Sequence, residues 1–219
     1  MRIVLLLLAP GLLLGETHLI SLDSIKGMRL VNVIAEPTTY KSRKALKVAE
    51  PPTNKADRED KMVILPLEFE NATIELDLAG AVSKDAIAGA RGFVGLAFRV
   101  AADLKKFECI YLRPTNPRSD DQVRRNHSAQ YISFPDYPWQ RLRKEEPEKY
   151  ESYVDLVPGE WTKVKIVVAG TKATLFVHGN EQPTLIINDL KKVESKGALA
   201  LWIGPGTEAH FANLRVTSQ

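Results

Sequence analysis

The feature that most constrains this chain is an apolar/polar alternation of period two, repeated in short runs along most of its length. Residues 71–78 read Asn-Ala-Thr-Ile-Glu-Leu-Asp-Leu, which puts Ile74, Leu76 and Leu78 on one side of an extended chain and Thr73, Glu75 and Asp77 on the other. Successive side chains of a strand point to opposite faces, so this run predicts a strand with one buried and one solvated face. The alternation returns in Val94, Leu96, Phe98 and Val100, in Val164, Ile166 and Val168, in Leu175 and Val177, and in Leu199, Leu201 and Ile203. Gly159-Glu160, Gly170-Thr171, Gly179-Asn180 and Gly204-Pro205-Gly206 punctuate the later runs, as hairpin turns would. Residues 30–34, 45–48 and 62–67 supply further strands, and the polar residues 50–61 read as a surface loop. Strands without long intervening helices predict an all-β fold, a two-sheet antiparallel sandwich.

Length fits one such domain. The 219 residues include an N-terminal apolar run, residues 3–14, preceded by Met1-Arg2 and followed by Glu16-Thr17-His18. That run is shorter than the ~20 residues a membrane-spanning helix needs, so it reads as a secretory signal peptide over residues 1–15 and not as a stable membrane anchor. Residues 16–219 then form the domain, expected in a secreted or periplasmic setting. A net charge of +3, with basic residues spread along the chain, gives no electrostatic case for nucleic acid. A single cysteine, Cys109, excludes an internal disulfide and a thiolate metal cage, and its apolar neighbours predict a packed, inert thiol.

Residues 114–150 break the rhythm. They hold five prolines, five arginines and five aromatic residues, with only a short strand-like segment at residues 130–133. A connection this long is uncommon in a compact domain and is usually functional or disordered, and its aromatic content argues against disorder. Tyr131, Phe134, Tyr137 and Trp139 can equally serve to cover an open end of the sandwich.

Several runs together carry a resemblance. Gly92-Phe93-Val94-Gly95-Leu96-Ala97-Phe98-Arg99, Phe107-Glu108-Cys109-Ile110-Tyr111-Leu112-Arg113, Pro158-Gly159-Glu160-Trp161-Thr162-Lys163-Val164-Lys165-Ile166, Phe176-Val177-His178-Gly179, Gly197-Ala198-Leu199-Ala200-Leu201-Trp202 and Phe211-Ala212-Asn213-Leu214-Arg215-Val216 resemble, in order, strands of concanavalin A-like, laminin-G-like jelly rolls. Over residues 65–217 the nearest likeness is to bacterial secreted domains of the 3-keto-disaccharide hydrolase type. This resemblance implies a jelly-roll sandwich with one long loop insertion, whose concave sheet or rim loops handle carbohydrate in many relatives and bind proteins in others.

Candidate chemistry divides by residue type. Glu75 and Asp77 share a strand face, and glycoside hydrolysis uses paired carboxylates; laminarinase-like relatives carry a third acid on that strand, where this chain has Leu78, Ala79 and Gly80. Arg99, Tyr111 and Arg113 are expected to project together from the sheet, offering an aromatic platform and fixed guanidinium donors to a saccharide, joined by Trp139 from the long segment. Glu75 and Asp77 would complete that groove or pair with its arginines. Within residues 118–128, Arg124 and Arg125 suit an anionic group, His127 suits general acid/base work, and the two aspartates leave a calcium-binding rim possible; no other metal or cofactor is expected. Three functions follow: a carbohydrate-recognition domain, a glycoside hydrolase acting through Glu75, Asp77 or His127, and a protein-interaction module exposing Phe134, Tyr137 and Trp139.

Overall fold

A computed structural model describes residues 15–52, 59–86, 88–191 and 196–218. Residues 1–14, which hold nearly all of the expected signal peptide, and residues 53–58 of the expected surface loop lie outside the described residues. Among the described residues no helix is long and apolar enough to cross a membrane.

The alternating runs become antiparallel strands in two packed sheets. In chain order the strands are β1 (Thr17–Ile20), β2 (Arg29–Val31), β3 (Ile34–Tyr40), β4 (Arg43–Ala49), β5 (Met62–Phe69), β6 (Ala72–Val82), β7 (Val94–Val100), β8 (Phe107–Leu112), β9 (Ala129–Phe134), β10 (Glu151–Ser152), β11 (Thr162–Ala169), β12 (Lys172–Val177), β13 (Leu185–Ile187), β14 (Gly197–Ile203) and β15 (Thr207–Ser218). Helices α1 (Gln122–Asn126) and α2 (Trp139–Glu145) flank β9. The first sheet runs β13-β12-β11-β6-β15-β4-β3, with β1 also paired to β15; the second runs β10-β9-β8-β7-β14-β5-β2.

Burial follows the alternation. Ile74, Leu76 and Leu78 from the first sheet and Val94, Leu96 and Phe98 from the second meet in one apolar core with Ile166, Leu175, Leu201 and Phe211. Each such side chain taken out of water contributes about 1.5–3 kcal/mol, and this inter-sheet layer is the main stabilising element. A second apolar layer lies on the other face of the second sheet, where Met62, Ala97, Val100, Phe107, Cys109, Tyr111, Ile132, Ala200 and Trp202 pack together. That sheet is therefore apolar on both faces, whereas the outer face of the first sheet carries Glu75, Asp77, Lys163 and Arg215.

Three sequence expectations need correction. Residues 30–34 are two strands in different sheets, because Asn32 takes the left-handed conformation (φ 53°) and turns the chain from β2 into β3. The long segment is not one loop insertion: β9 pairs along its whole length with β8 and is integral to the second sheet. Val100 does not share a face with Phe98. Between the pairs Ala200↔Ala97 and Ala198↔Val100, β7 carries one more residue than β14, and the bulge reverses the alternation beyond it.

Cys109 is fully buried in the outer layer, and burial pushes its thiol well above the ordinary range. Native protein is expected to leave this thiol unmodified by iodoacetamide over hours, with stoichiometric labelling in denaturant. Rapid native labelling would contradict the packing of this layer.

Candidate functional site

The second sheet's outer face gathers the aromatic and cationic residues. β8 sends Ile110 and Leu112 into the inter-sheet core, so Tyr111 and the following Arg113 project outward as the alternation predicts. Trp139 reaches the same place from above. Pro138 precedes α2 as its N-cap, Leu142 buries on the sheet side, and Arg143 and Lys144 sit at the helix C-terminus, where positive charge is favourable. Trp139 and Arg143, four residues apart, share one helix face.

Between helix and sheet lies a cleft of about 330 Å³, walled by Phe93, Tyr111, Arg113, Trp139, Gln140 and Arg143, with Arg91 and Glu59 on its rim. The Arg113 guanidinium lies 5.1 Å from the Phe93 ring centre, 5.3 Å from Tyr111 and 5.5 Å from Trp139; Arg143 lies 4.6 Å from Trp139. Arg113 Nη2 donates to Tyr111 Oη at 3.0 Å and to Gln130 Oε1 at 3.1 Å. Burial holds the Tyr111 phenol up at about 12 although Arg113 opposes the shift, so its proton stays in place to donate.

A smaller cleft adjoins the first, sharing Arg91, Arg113 and Arg143 and adding Asn116, Asp121, Arg124 and His127. Asp121 caps α1 by accepting from the amides of Val123 and Arg124. Arg124 Nε donates to Asn116 Oδ1 at 3.2 Å, and its Nη2 to Thr115 Oγ1 at 3.2 Å. His127 Nε2 lies 2.9 Å from Glu151 Oε2, and Arg143 donates to both oxygens of Glu151 at 2.9 Å. Burial lowers the His127 pKa more than the neighbouring Glu151 carboxylate raises it, so the ring is neutral at neutral pH. Glu151 thereby ties α2 to the α1 loop and fixes the arginine that flanks Trp139.

The other sequence candidates lie elsewhere. Arg99 is on the same sheet as Arg113 but on its opposite side. Its left-handed backbone (φ 51°) at the β7 bulge sends the side chain inward, where Nη2 donates to Glu70 O at 3.0 Å and Gly170 O at 2.6 Å. The expected trio of Arg99, Tyr111 and Arg113 is therefore not one surface. Glu75 and Asp77 do share a face, but it is the outer face of the first sheet, on the far side of the sandwich from Tyr111, and they do not complete its groove. There they line a polar groove with Arg43, Trp161, Lys163, Asn213 and Arg215. Asp77 Oδ2 accepts from Arg43 Nη1 at 2.9 Å and Asn213 Nδ2 at 2.6 Å. Arg125 turns aside to Ser119 O and the Tyr153 ring. Among the described residues no group of three or more histidine, cysteine, aspartate or glutamate side chains is placed to hold a metal ion.

Phe134, Tyr137 and Trp139 do not form an exposed patch. Each is half-buried: Phe134 stacks on Phe107 with ring centres 4.9 Å apart, and the Arg141 guanidinium lies 4.3 Å from the Tyr137 ring centre. Arg91, Phe93, Gln140 and Arg143 are cleft residues that the sequence reading missed. The four-residue spacing of Trp139 and Arg143 is a helical signal that points to Arg143; Arg91 lies in an irregular connection that no periodicity marks.

No family model matches the chain, and no curated protein matches it in sequence. Among solved structures, the carbohydrate binding module CBM66 from Bacillus subtilis is similar over 88% of this chain and 96% of its own, with TM-score 0.59 at 15% identity. A Bacillus subtilis protein of unknown function with a galectin-like fold is similar over 94% of this chain and 97% of its own, with TM-score 0.57 at 11% identity. A native glycosidic hydrolase is similar over 94% and 97%, with TM-score 0.53 at 6% identity. At these identities the likeness is one of architecture, and together with the two antiparallel sheets it establishes that the chain is a concanavalin A-like jelly-roll β-sandwich.

Proposed function

We propose that this protein is a carbohydrate-recognition domain that seats a saccharide in the cleft between α2 and the second sheet, in a secreted or periplasmic setting. The observation that carries this reading is the composition of the cleft. Phe93, Tyr111 and Trp139 give it apolar walls, while Arg91, Arg113, Gln140 and Arg143 supply donors around them. A pyranose or furanose ring presents the complementary surface, with C–H patches for aromatic walls and hydroxyls for fixed donors. The volume, about 330 Å³, suits one or two sugar rings. The fold shared with a carbohydrate binding module supports the same reading.

A screen of the protein on a glycan array, followed by calorimetry with the best ligand, tests this. Trp139→Ala is expected to weaken binding about tenfold or more, with only a small loss of stability, since it removes a cleft wall and two exchangeable guanidinium contacts. Unchanged affinity in that variant would move the site off this face.

The hydrolase reading rests on a different observation. Glu75 and Asp77 stand together beside Trp161 in the groove of the first sheet, and Asp77 is held by Arg43 and Asn213. In that reading Asp77 is the fixed carboxylate and Glu75 the proton donor or acceptor. Release of reducing ends from a bound glycan, abolished by Glu75→Gln, is its expected signature; binding without any turnover would remove it.

A further inference from the structure

The cleft holds more positive charge than the protein itself neutralises. Arg113 is only 3% exposed, and its hydrogen-bond partners among the described residues are neutral: the Tyr111 hydroxyl, the Gln130 amide oxygen and the His127 carbonyl. Among the described residues no carboxylate pairs with it, and its Nε, buried from solvent, has no hydrogen-bond partner. A buried guanidinium is normally paired, because taking an uncompensated charge out of water is costly.

Arg91 repeats the pattern at the rim. Among the described residues its side chain has no hydrogen-bond or ion-pair partner. Burial, and after it the neighbouring charges of Arg124, Arg113 and Arg143, lowers its pKa, so the guanidiniums repel one another across the cleft. Against them stand Glu151, already committed to Arg143 and His127, Asp121, committed to capping α1, and Glu59, a cleft residue that pairs with neither Arg91 nor Arg113. Among the described residues neither Arg91 nor Arg113 has an anionic partner.

On the carbohydrate-recognition reading, on which this rests, we infer that the saccharide is acidic and that its anionic group, a uronate carboxylate or a sulfate ester, is held by the Arg91 guanidinium in the cleft that Arg91 shares with Arg113. Arg91 presents a complete donor fork, which matches two oxygens of either group, and the buried Arg113 adds positive charge that no carboxylate offsets among the described residues. The aromatic walls then contact the sugar ring that carries the charge. Charge-assisted bonds in a partly desolvated cleft make the preference for acidic over neutral glycans large and salt-dependent.

The test uses the full chain on an array holding neutral, uronate-containing, sialylated and sulfated glycans. Binders are expected among the charged classes, with uronate against sulfate identifying the anionic group. The best uronate ligand is then compared with its methyl ester, which keeps the sugar and removes the charge; the acid is expected to bind about 10–100-fold more tightly, with the advantage shrinking at high salt. Arg91→Gln, at an exposed side chain with no hydrogen-bond or ion-pair partner among the described residues, is expected to weaken the acid at least about tenfold more than the ester, so that the two bind alike, with the melting temperature unchanged. Arg113→Gln should lose acid binding also, but its burial makes folding the first check, and Arg91→Gln stands without it. Equal affinity for acid and ester, both weakened by Trp139→Ala, would overturn the acidic preference and leave the carbohydrate site intact. An array with neutral binders alone would do the same. Absence of any glycan binding would overturn both readings.

Discussion

Arg99→Leu is expected to lower the melting temperature by about 6–12 °C and to leave saccharide affinity of the folded protein unchanged. Arg99 is fully buried, and it joins the two sheets rather than decorating one of them. Its guanidinium donates to Glu70 O in the β5–β6 connection and to Gly170 O in the β11–β12 turn, so one side chain from the second sheet satisfies two backbone carbonyls at the edge of the first. Leucine keeps an apolar stem but supplies no donor, and each carbonyl left without its partner costs about 1–3 kcal/mol where water cannot replace it. A total near 3 kcal/mol, spread over a domain of this size, converts to the stated fall in melting temperature. Arg99→Lys should be intermediate, because an ammonium keeps the charge but loses the planar fork that spans both carbonyls. Thermal unfolding monitored by circular dichroism reads the first effect and calorimetry with the array ligand the second. A variant with native stability and lost binding would mean that Arg99 belongs to the outer surface after all.

That outcome bears on what the sequence could disclose. The alternation at residues 71–78 and 94–98 identified strands, their buried faces and hence the sandwich, because period two is a local property that each strand carries by itself. The same rule applied to β8 put Tyr111 and Arg113 outward, where they are. It failed at Arg99 because one added residue in β7 reverses every later side chain, and nothing in Phe98-Arg99-Val100 marks the bulge. Strand pairing was equally out of reach. Glu75 and Asp77 belong to β6 in the first sheet, while Tyr111 belongs to β8 in the second, and the separation of those groups is a matter of topology that no single run contains. The edge strands β1 and β13 escaped notice because four and three residues are too few for a pattern to stand out.

The two outer faces of the sandwich differ in how their charges are paired. The first sheet's outer face is charged and self-paired, with Asp77 engaged by Arg43 and Asn213 and Lys47 bridging to Glu208. The second sheet's outer face is apolar under α2 and cationic at the cleft, where among the described residues Arg91 has no ion-pair partner and Arg113 is bound to neutral groups. Self-paired charges must exchange partners before they bind a ligand, whereas a guanidinium without an anion gains one at no such cost. This difference is what favours the second face in the proposed carbohydrate reading, although Glu75 and Asp77 lie on the first.

Gly95→Ala is expected to be the most damaging single methyl that can be added beneath that surface. Gly95 sits in β7 directly between Tyr111 of β8 and Trp202 of β14. Because it has no side chain, the two rings meet above it with centres 4.8 Å apart, and Tyr111 reaches Phe93 at 5.6 Å. A Cβ at this position would lie 2.3 Å from Ile110 O and 2.5 Å from Tyr111 Cα. Both are backbone atoms of a paired strand, so no rotamer change relieves the overlap, and β8 must move away from β7. The cost is about 3 kcal/mol or more, at the upper end for overpacking, and the melting temperature is expected to fall by at least about 6 °C. Movement of β8 carries Tyr111 and Arg113 with it, so glycan affinity should fall even at temperatures where the variant is fully folded. Gly179→Ala separates this steric effect from ordinary glycine strain. Gly179 has φ 77°, and a Cβ there meets only Lys163 Cδ at 3.9 Å. Its replacement should cost about 1–2 kcal/mol through the left-handed backbone alone and leave binding untouched. Equal losses of stability in the two variants, with binding retained in both, would show that the close approach over Gly95 does not hold the cleft in shape.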